Sequence, residues 1–87
     1  MTWLKDPAET LDYRFDWDRW LTGSETIASA TVTAPAGLTK GAVSHDQRSA
    51  TVWLSGGTAG TYALVCSITT TEGRTAERTK QLTVRDR

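Results

Sequence analysis

The chain has 87 residues, enough for one domain and too few for two. Ten basic residues balance ten acidic ones, so the basic excess typical of a nucleic-acid binder is missing. No apolar run approaches the ~18 residues of a membrane span, and the opening Met1-Thr2-Trp3-Leu4-Lys5-Asp6-Pro7 lacks the apolar stretch of a signal peptide. Cys66 and His45 each stand alone, so neither an internal disulfide nor a Cys/His zinc site is expected. The reading is a small soluble domain made in a reducing compartment, without metal or cofactor.

Leu, Ile, Val and Phe number only 15, while Thr numbers 16. Thr is β-branched and suits a half-buried pleated surface, so the excess favours strands. In chain order, Leu11, Tyr13, Phe15 and Trp17 alternate with Asp12, Arg14, Asp16 and Asp18, which predicts an amphipathic first strand. Residues 18–22 have room for one short helical turn. A second strand is expected over 25–33. Ile27 and Val32 have opposite parity there, which a bulge or two-sided burial would explain. Pro35 and Gly37 punctuate, and 38–44 reads as a weaker third strand. Ala50, Val52 and Leu54 alternate with Thr51, Trp53 and Ser55 in a fourth. The Gly-rich stretch 55–60 reads as a flexible connection. Tyr62, Leu64, Cys66 and Ile68 share one face of a long strand. Glu72-Gly73 turns the chain, which returns over 74–85 with Leu82 and Val84 on one parity.

Short strands at ~8–12-residue spacing, with no ordinary helix, predict an all-β fold. Strands of unequal length joined by unlike turns favour a sandwich over an up-and-down barrel. The expected architecture is an antiparallel immunoglobulin-like β-sandwich of about six to seven strands over residues 11–87. Residues 1–10 read as an N-terminal arm without regular structure, because Pro7 lacks an N–H and biases Asp6 to extended conformations. On this reading the arm serves assembly more than folding.

Candidate chemistry is sparse. Ser44-His45-Asp46 contains the residue types of a hydrolytic triad, but consecutive side chains on extended chain point in opposite directions. The segment 44–48 is read as a polar hairpin loop. Asp12, Asp16 and Asp18 share a strand face suited in principle to Ca²⁺ or to glycosidase chemistry. Arg14 sits among them, so a solvated charged face is the simpler reading. No phosphate-binding loop or dinucleotide fingerprint is present. The chain is expected not to be an enzyme.

The tryptophans carry the remaining functional content. Trp17 continues the apolar face of the first strand, and Trp20 is placed to cover an open end. Trp53 has the opposite parity to Val52 and Leu54, and parity alone leaves open which face is buried. An exposed Trp there would be a contact residue, because Trp is enriched at binding hot spots. Trp3 and Leu4 form an apolar anchor on the arm. The partner-binding candidates are therefore Trp3, Leu4, Trp20 and Trp53. Residues 1–25 carry six acids against three bases, and residues 72–87 carry five bases against three acids. Copies packed head to tail would meet with complementary charge.

Two resemblances extend this reading. Gly60-Thr61-Tyr62-Ala63-Leu64-Val65-Cys66 resembles the late Tyr and Cys of an immunoglobulin domain. The Tyr stands further from the Cys than in antibody domains, however, and no first Cys exists. It is more similar to cysteine-poor bacterial and phage modules of that type, which implies a core or corner role for Tyr62 and a buried Cys66. A second set of motifs runs through most of the chain: Lys5-Asp6-Pro7, Glu9, Leu11-Asp12-Tyr13, Phe15-Asp16-Trp17 and Trp20-Leu21. It continues through Glu25-Thr26-Ile27-Ala28-Ser29, Trp53-Leu54-Ser55-Gly56-Gly57-Thr58, Gly60-Thr61-Tyr62, Gly73-Arg74-Thr75 and Glu77-Arg78. With these motifs the chain resembles a family of small phage and prophage virion proteins, the fiber–tail adaptors and Ig-like minor structural proteins. The resemblance implies a structural component of a tailed-phage particle at the tail or fiber attachment, synthesised in the host cytoplasm. Its partners would be other virion proteins, among which it would be oligomeric, with neither nucleic acid nor membrane bound. The alternative reading is a carbohydrate- or host-surface-binding module using an exposed Trp53.

Overall fold

The computed structural model describes residues 3–86. Its strands are β1 (Trp3–Lys5), β2 (Leu11–Asp16), β3 (Ile27–Thr33), β4 (Leu38–His45), β5 (Ser49–Gly56), β6 (Gly60–Thr70) and β7 (Thr75–Val84). They form a four-stranded sheet in the order β1-β7-β6-β3 and a three-stranded sheet in the order β2-β5-β4. All pairings are antiparallel except β1 with β7, which is parallel. The all-β sandwich expected from the alternation is the observed fold.

The core lies between the sheets and follows the period of two. Ala50, Val52 and Leu54 of β5 are buried and stand opposite Phe15, Tyr13 and Leu11 of β2. From the other layer, Leu64, Cys66 and Ile68 of β6 and Leu82 and Val84 of β7 are buried. Register shifts reconcile the ambiguous strands. The one between Ile27 and Ser29 lets both Ile27 and Val32 reach the core. Another between Lys40 and Val43 brings Leu38 and Val43 to the same side, which accounts for the weak alternation of β4.

Two expectations are corrected. The segment 1–10 was expected to lack regular structure, yet Trp3–Lys5 forms β1, in register with Leu82, Thr83 and Val84. Pro7 does not prevent this, because its effects fall on Asp6 and on its own missing N–H, beyond the end of the strand. The Trp3 ring stacks on Tyr13 at 4.8 Å and meets Phe15 edge-on at 5.0 Å. Lys5 is fully buried, and its Nζ donates to the carbonyls of Gly56 at 2.7 Å and Asp6 at 2.9 Å. The connection at 55–60, expected to be flexible, is tied down. Gly57 has φ +96°, and a Cβ there would come within 3.2 Å of Leu38 and 3.3 Å of Val84. Thr58 donates its N–H to the Tyr62 hydroxyl, which in turn donates to the Thr58 carbonyl.

Trp17 is buried, and its indole N–H has no hydrogen-bond partner. An unsatisfied buried donor costs about 1–3 kcal/mol. Burying an aromatic side chain of ~200 Å² returns about 5 kcal/mol, so burial wins. Cys66 is buried on the same core face, and desolvation pushes its thiol above the ordinary cysteine range.

These contacts set two expectations. Native Cys66 reacts with an aromatic disulfide reagent only at the rate of unfolding, and immediately in denaturant. Fast native labelling would contradict the β6 register. Half-burial of Trp3 is worth about 1.5 kcal/mol, the low end for a large apolar side chain. Deleting residues 1–5 therefore lowers Tm by about 6 °C or more in a domain this small. A melting curve superimposable on that of the full chain would show that β1 does not stabilise the sandwich.

Candidate functional site

The three-stranded sheet turns Thr51, Trp53 and Ser55 of β5 outward, because the alternate residues enter the core. Trp53 is 44% exposed and is the one large hydrophobic residue exposed among those described. On one side it stands opposite Asp12 of β2, with Arg14 opposite Thr51. On the other side β4 is irregular between Lys40 and Val43, and Gly41 lies against Trp53. A Cβ at Gly41 would sit 3.3 Å from the Trp53 Cβ and 3.5 Å from its carbonyl oxygen, so a side chain there would crowd the base of Trp53. Trp53 therefore stands on an open face between a charged strand and a small-residue bulge.

A second constellation closes one end of the sandwich. The Glu25 side chain is buried, 1% exposed. Arg74 grips its carboxylate with two bonds, Nε at 2.8 Å and Nη2 at 2.5 Å. Thr70 Oγ1 donates at 2.6 Å, and Thr22 donates from both its N–H and its hydroxyl. The Arg74 guanidinium lies 4.1 Å above the Trp20 ring, and Trp20 meets Trp17 edge-on at 5.6 Å. Arg78 covers Trp17 at 4.5 Å and donates to the Asp16 carbonyl. The segment 17–26 is thereby stapled to the β6–β7 hairpin by alternating cations and indoles. The Arg74 and Thr70 hydrogen bonds hold the Glu25 carboxyl down at about 2, against an ordinary 4.5.

The candidate residues do not converge. Trp3 lies on the inner side of β2, stacked on Tyr13, whereas Trp53 lies on the outer side of the same sheet. Leu4 is half-buried, and its carbonyl accepts the Tyr13 hydroxyl. Trp20 belongs to the Glu25–Arg74 cluster. The Ser44-His45-Asp46 segment ends β4, and the Asp46 carboxylate is taken up by the Arg48 and Ser49 N–H groups and the Ser49 hydroxyl. These bonds lower its pKa and build the turn into β5. No group of His, Cys, Asp and Glu among the described residues has the arrangement of a metal site, and no pocket opens on the described surface.

Sequence reasoning missed Glu25 and Lys5, the buried charged residues. Thr22 and Glu25 have the Thr-x-x-Glu spacing of a capping box, which was the available signal. Nothing local joins Glu25 to Arg74, which lies 49 residues away.

Compared with known families, residues 5–83 match the model described as podophage GP4 fiber-tail adaptor protein gp77. No curated protein matches the chain.

Glu25 titrates lower in the folded than in the unfolded chain, so its stabilisation is present above pH 4.5 and is lost as pH falls towards 2. Tm should therefore fall across that window. Glu25→Gln should lower Tm at neutral pH and flatten the slope between pH 4.5 and 2. An unchanged slope would assign the acid sensitivity to other carboxylates.

Proposed function

The chain belongs to the podophage GP4 fiber-tail adaptor protein gp77 family, and we propose that it links tail and fiber proteins of the particle through direct protein contacts, with no reaction catalysed. The family match over residues 5–83 carries this reading. In its support, the described surface offers one exposed large aromatic, Trp53, on the outer face of the three-stranded sheet. We assign Trp53 as the anchor of one contact, with Asp12 and Arg14 beside it selecting the partner by charge. Trp20 and the β1 residues Trp3 and Leu4 contribute at other points of the surface.

On this reading the protein is synthesised in the host cytoplasm, is oligomeric within the particle, and engages neither nucleic acid nor membrane. The immunoglobulin-like character of the sandwich is part of the same proposal. In its support, the order β2-β5-β4 facing β7-β6-β3 corresponds to the B-E-D and G-F-C neighbours of such domains. The bond from the Tyr62 hydroxyl to backbone upstream has the form of their tyrosine corner.

Trp53→Thr keeps β-propensity and removes the anchor. Its Tm should stay within a few degrees of wild type, as for a surface substitution. Its retention in purified particles, read by quantitative mass spectrometry, should fall about 30-fold, the size of a hot-spot loss. Full retention would move the contact away from this face.

A further inference from the structure

We propose that the open edge of β7 is a second contact site, taking an extended segment of another virion protein as an added strand. This rests on the adaptor reading and specifies how one of its contacts is made. β1 covers β7 only from Leu82 to Val84, and the edge from 75 to 79 lies beyond it. The Arg74 carbonyl accepts from Thr70 on the β6 side, and the Arg85 N–H donates to Lys5 on the β1 side. Backbone groups alternate sides along a strand. Thr75, Glu77 and Thr79 therefore direct their N–H and C=O groups away from β6. All three residues are exposed. Among the described residues β7 pairs on this side only with β1, from Leu82 to Val84, and no turn or loop bond reaches these groups.

Edges of this kind are ordinarily blunted by bulges, proline or inward-pointing charge. β7 is paired with β6 from Thr69↔Thr75 to Gly60↔Val84 with no register shift, and it contains no proline. Its inward-side arginines do not guard the edge: Arg74 is held by Glu25 and Trp20, and Arg78 by Asp16 and Trp17. Lys80, the one basic residue of that row with no hydrogen bond or ion pair among the described residues, lies past the 75–79 stretch, next to the part covered by β1.

The occupant is not a second β7. An antiparallel self-pairing in hydrogen-bonding phase sets Arg78 against Arg78, Glu77 against Glu77, or Arg78 against Lys80, depending on register. Like charges directly opposite destabilise a sheet. The edge fits a different strand, with an acidic side chain facing Lys80 and a basic or neutral one facing Glu77. Such strand addition draws affinity from main-chain bonds and specificity from alternate side chains.

The test uses full-length protein and particles assembled without it as the probe. In the free protein the amides of Thr75, Glu77 and Thr79 should exchange with deuterium quickly, and those of Ala76 and Arg78 slowly. On incorporation the first three should slow by at least about 100-fold, as for newly hydrogen-bonded groups. Thr79→Pro removes an outward N–H that the β6 ladder does not use, so it should keep the wild-type Tm yet lose incorporation. Glu77→Pro serves the same purpose if Thr79→Pro melts early. Thr79→Val retains the N–H and should incorporate normally. Wild-type protein that incorporates with edge amides still exchanging freely would overturn the edge site and leave the adaptor reading intact. Wild-type protein that never enters particles would overturn both.

Discussion

The Glu25 carboxylate holds the long crossover between the sheets to the far hairpin, and much of the molecule's arrangement follows from it. A carboxylate this deep is unfavourable unless its lone pairs are filled. Here Arg74, Thr70 and Thr22 fill them. The staple fixes segment 17–26 across the end of the sandwich. That placement puts Trp20 under Arg74 and Trp17 under Arg78. In a chain with so few aliphatic residues, those indoles supply core area that Leu and Ile would supply elsewhere. The Glu25 bonds turn Arg74 inward, and the Asp16 carbonyl and Trp17 ring do the same for Arg78, so neither arginine lies over the free edge of β7.

The strands themselves were legible because their signal is local. Val52, Leu54, Leu64, Cys66 and Ile68 obey a strict period of two and are all buried. Even the parity conflict of Ile27 and Val32 pointed to the irregularity that the pairing shows. What stayed hidden depends on distant partners. Lys5 looks like an arm residue in sequence, but it reaches Gly56, 51 residues away. Trp3 becomes part of a strand only because Tyr13 and Phe15 offer it a ring face and a ring edge. For the contact surface, sequence set the parity of Trp53 against its neighbours, and the fold then decided which parity faces out. The uncovered edge of β7 could not be read from sequence, since it depends on where β1 stops.

The sandwich presents two unlike outer faces. On the three-stranded sheet, the outward row Asp12, Arg14 and Asp16 of β2 runs beside the exposed Trp53 of β5. On the four-stranded sheet, Thr61, Thr69, Thr75, Thr79 and Thr83 lie among Ser67, Ala63, Val65 and Gln81, with Glu77 as the charged member of β7's outward row. Threonine there satisfies the sheet's preference for β-branched residues while keeping the face wettable. Sequence composition alone did not separate these roles, because the net charge of zero averages over both faces.

The parallel pairing of β1 with β7 also has a mechanical meaning. Trp3 lies beside Leu82 and Lys5 beside Val84, so the first strand enters at one end of the shared ladder and the last strand leaves at the other. Tension drawing Trp3 away from Val84 slides the strands along each other and loads their rungs together, in shear. An antiparallel pair pulled from one end would open one rung at a time, like a zip. The buried Lys5 side chain and the stacked Trp3 ring resist the same sliding motion. The seam between β1 and β7 is thereby closed by a clasp that resists sliding along the strands.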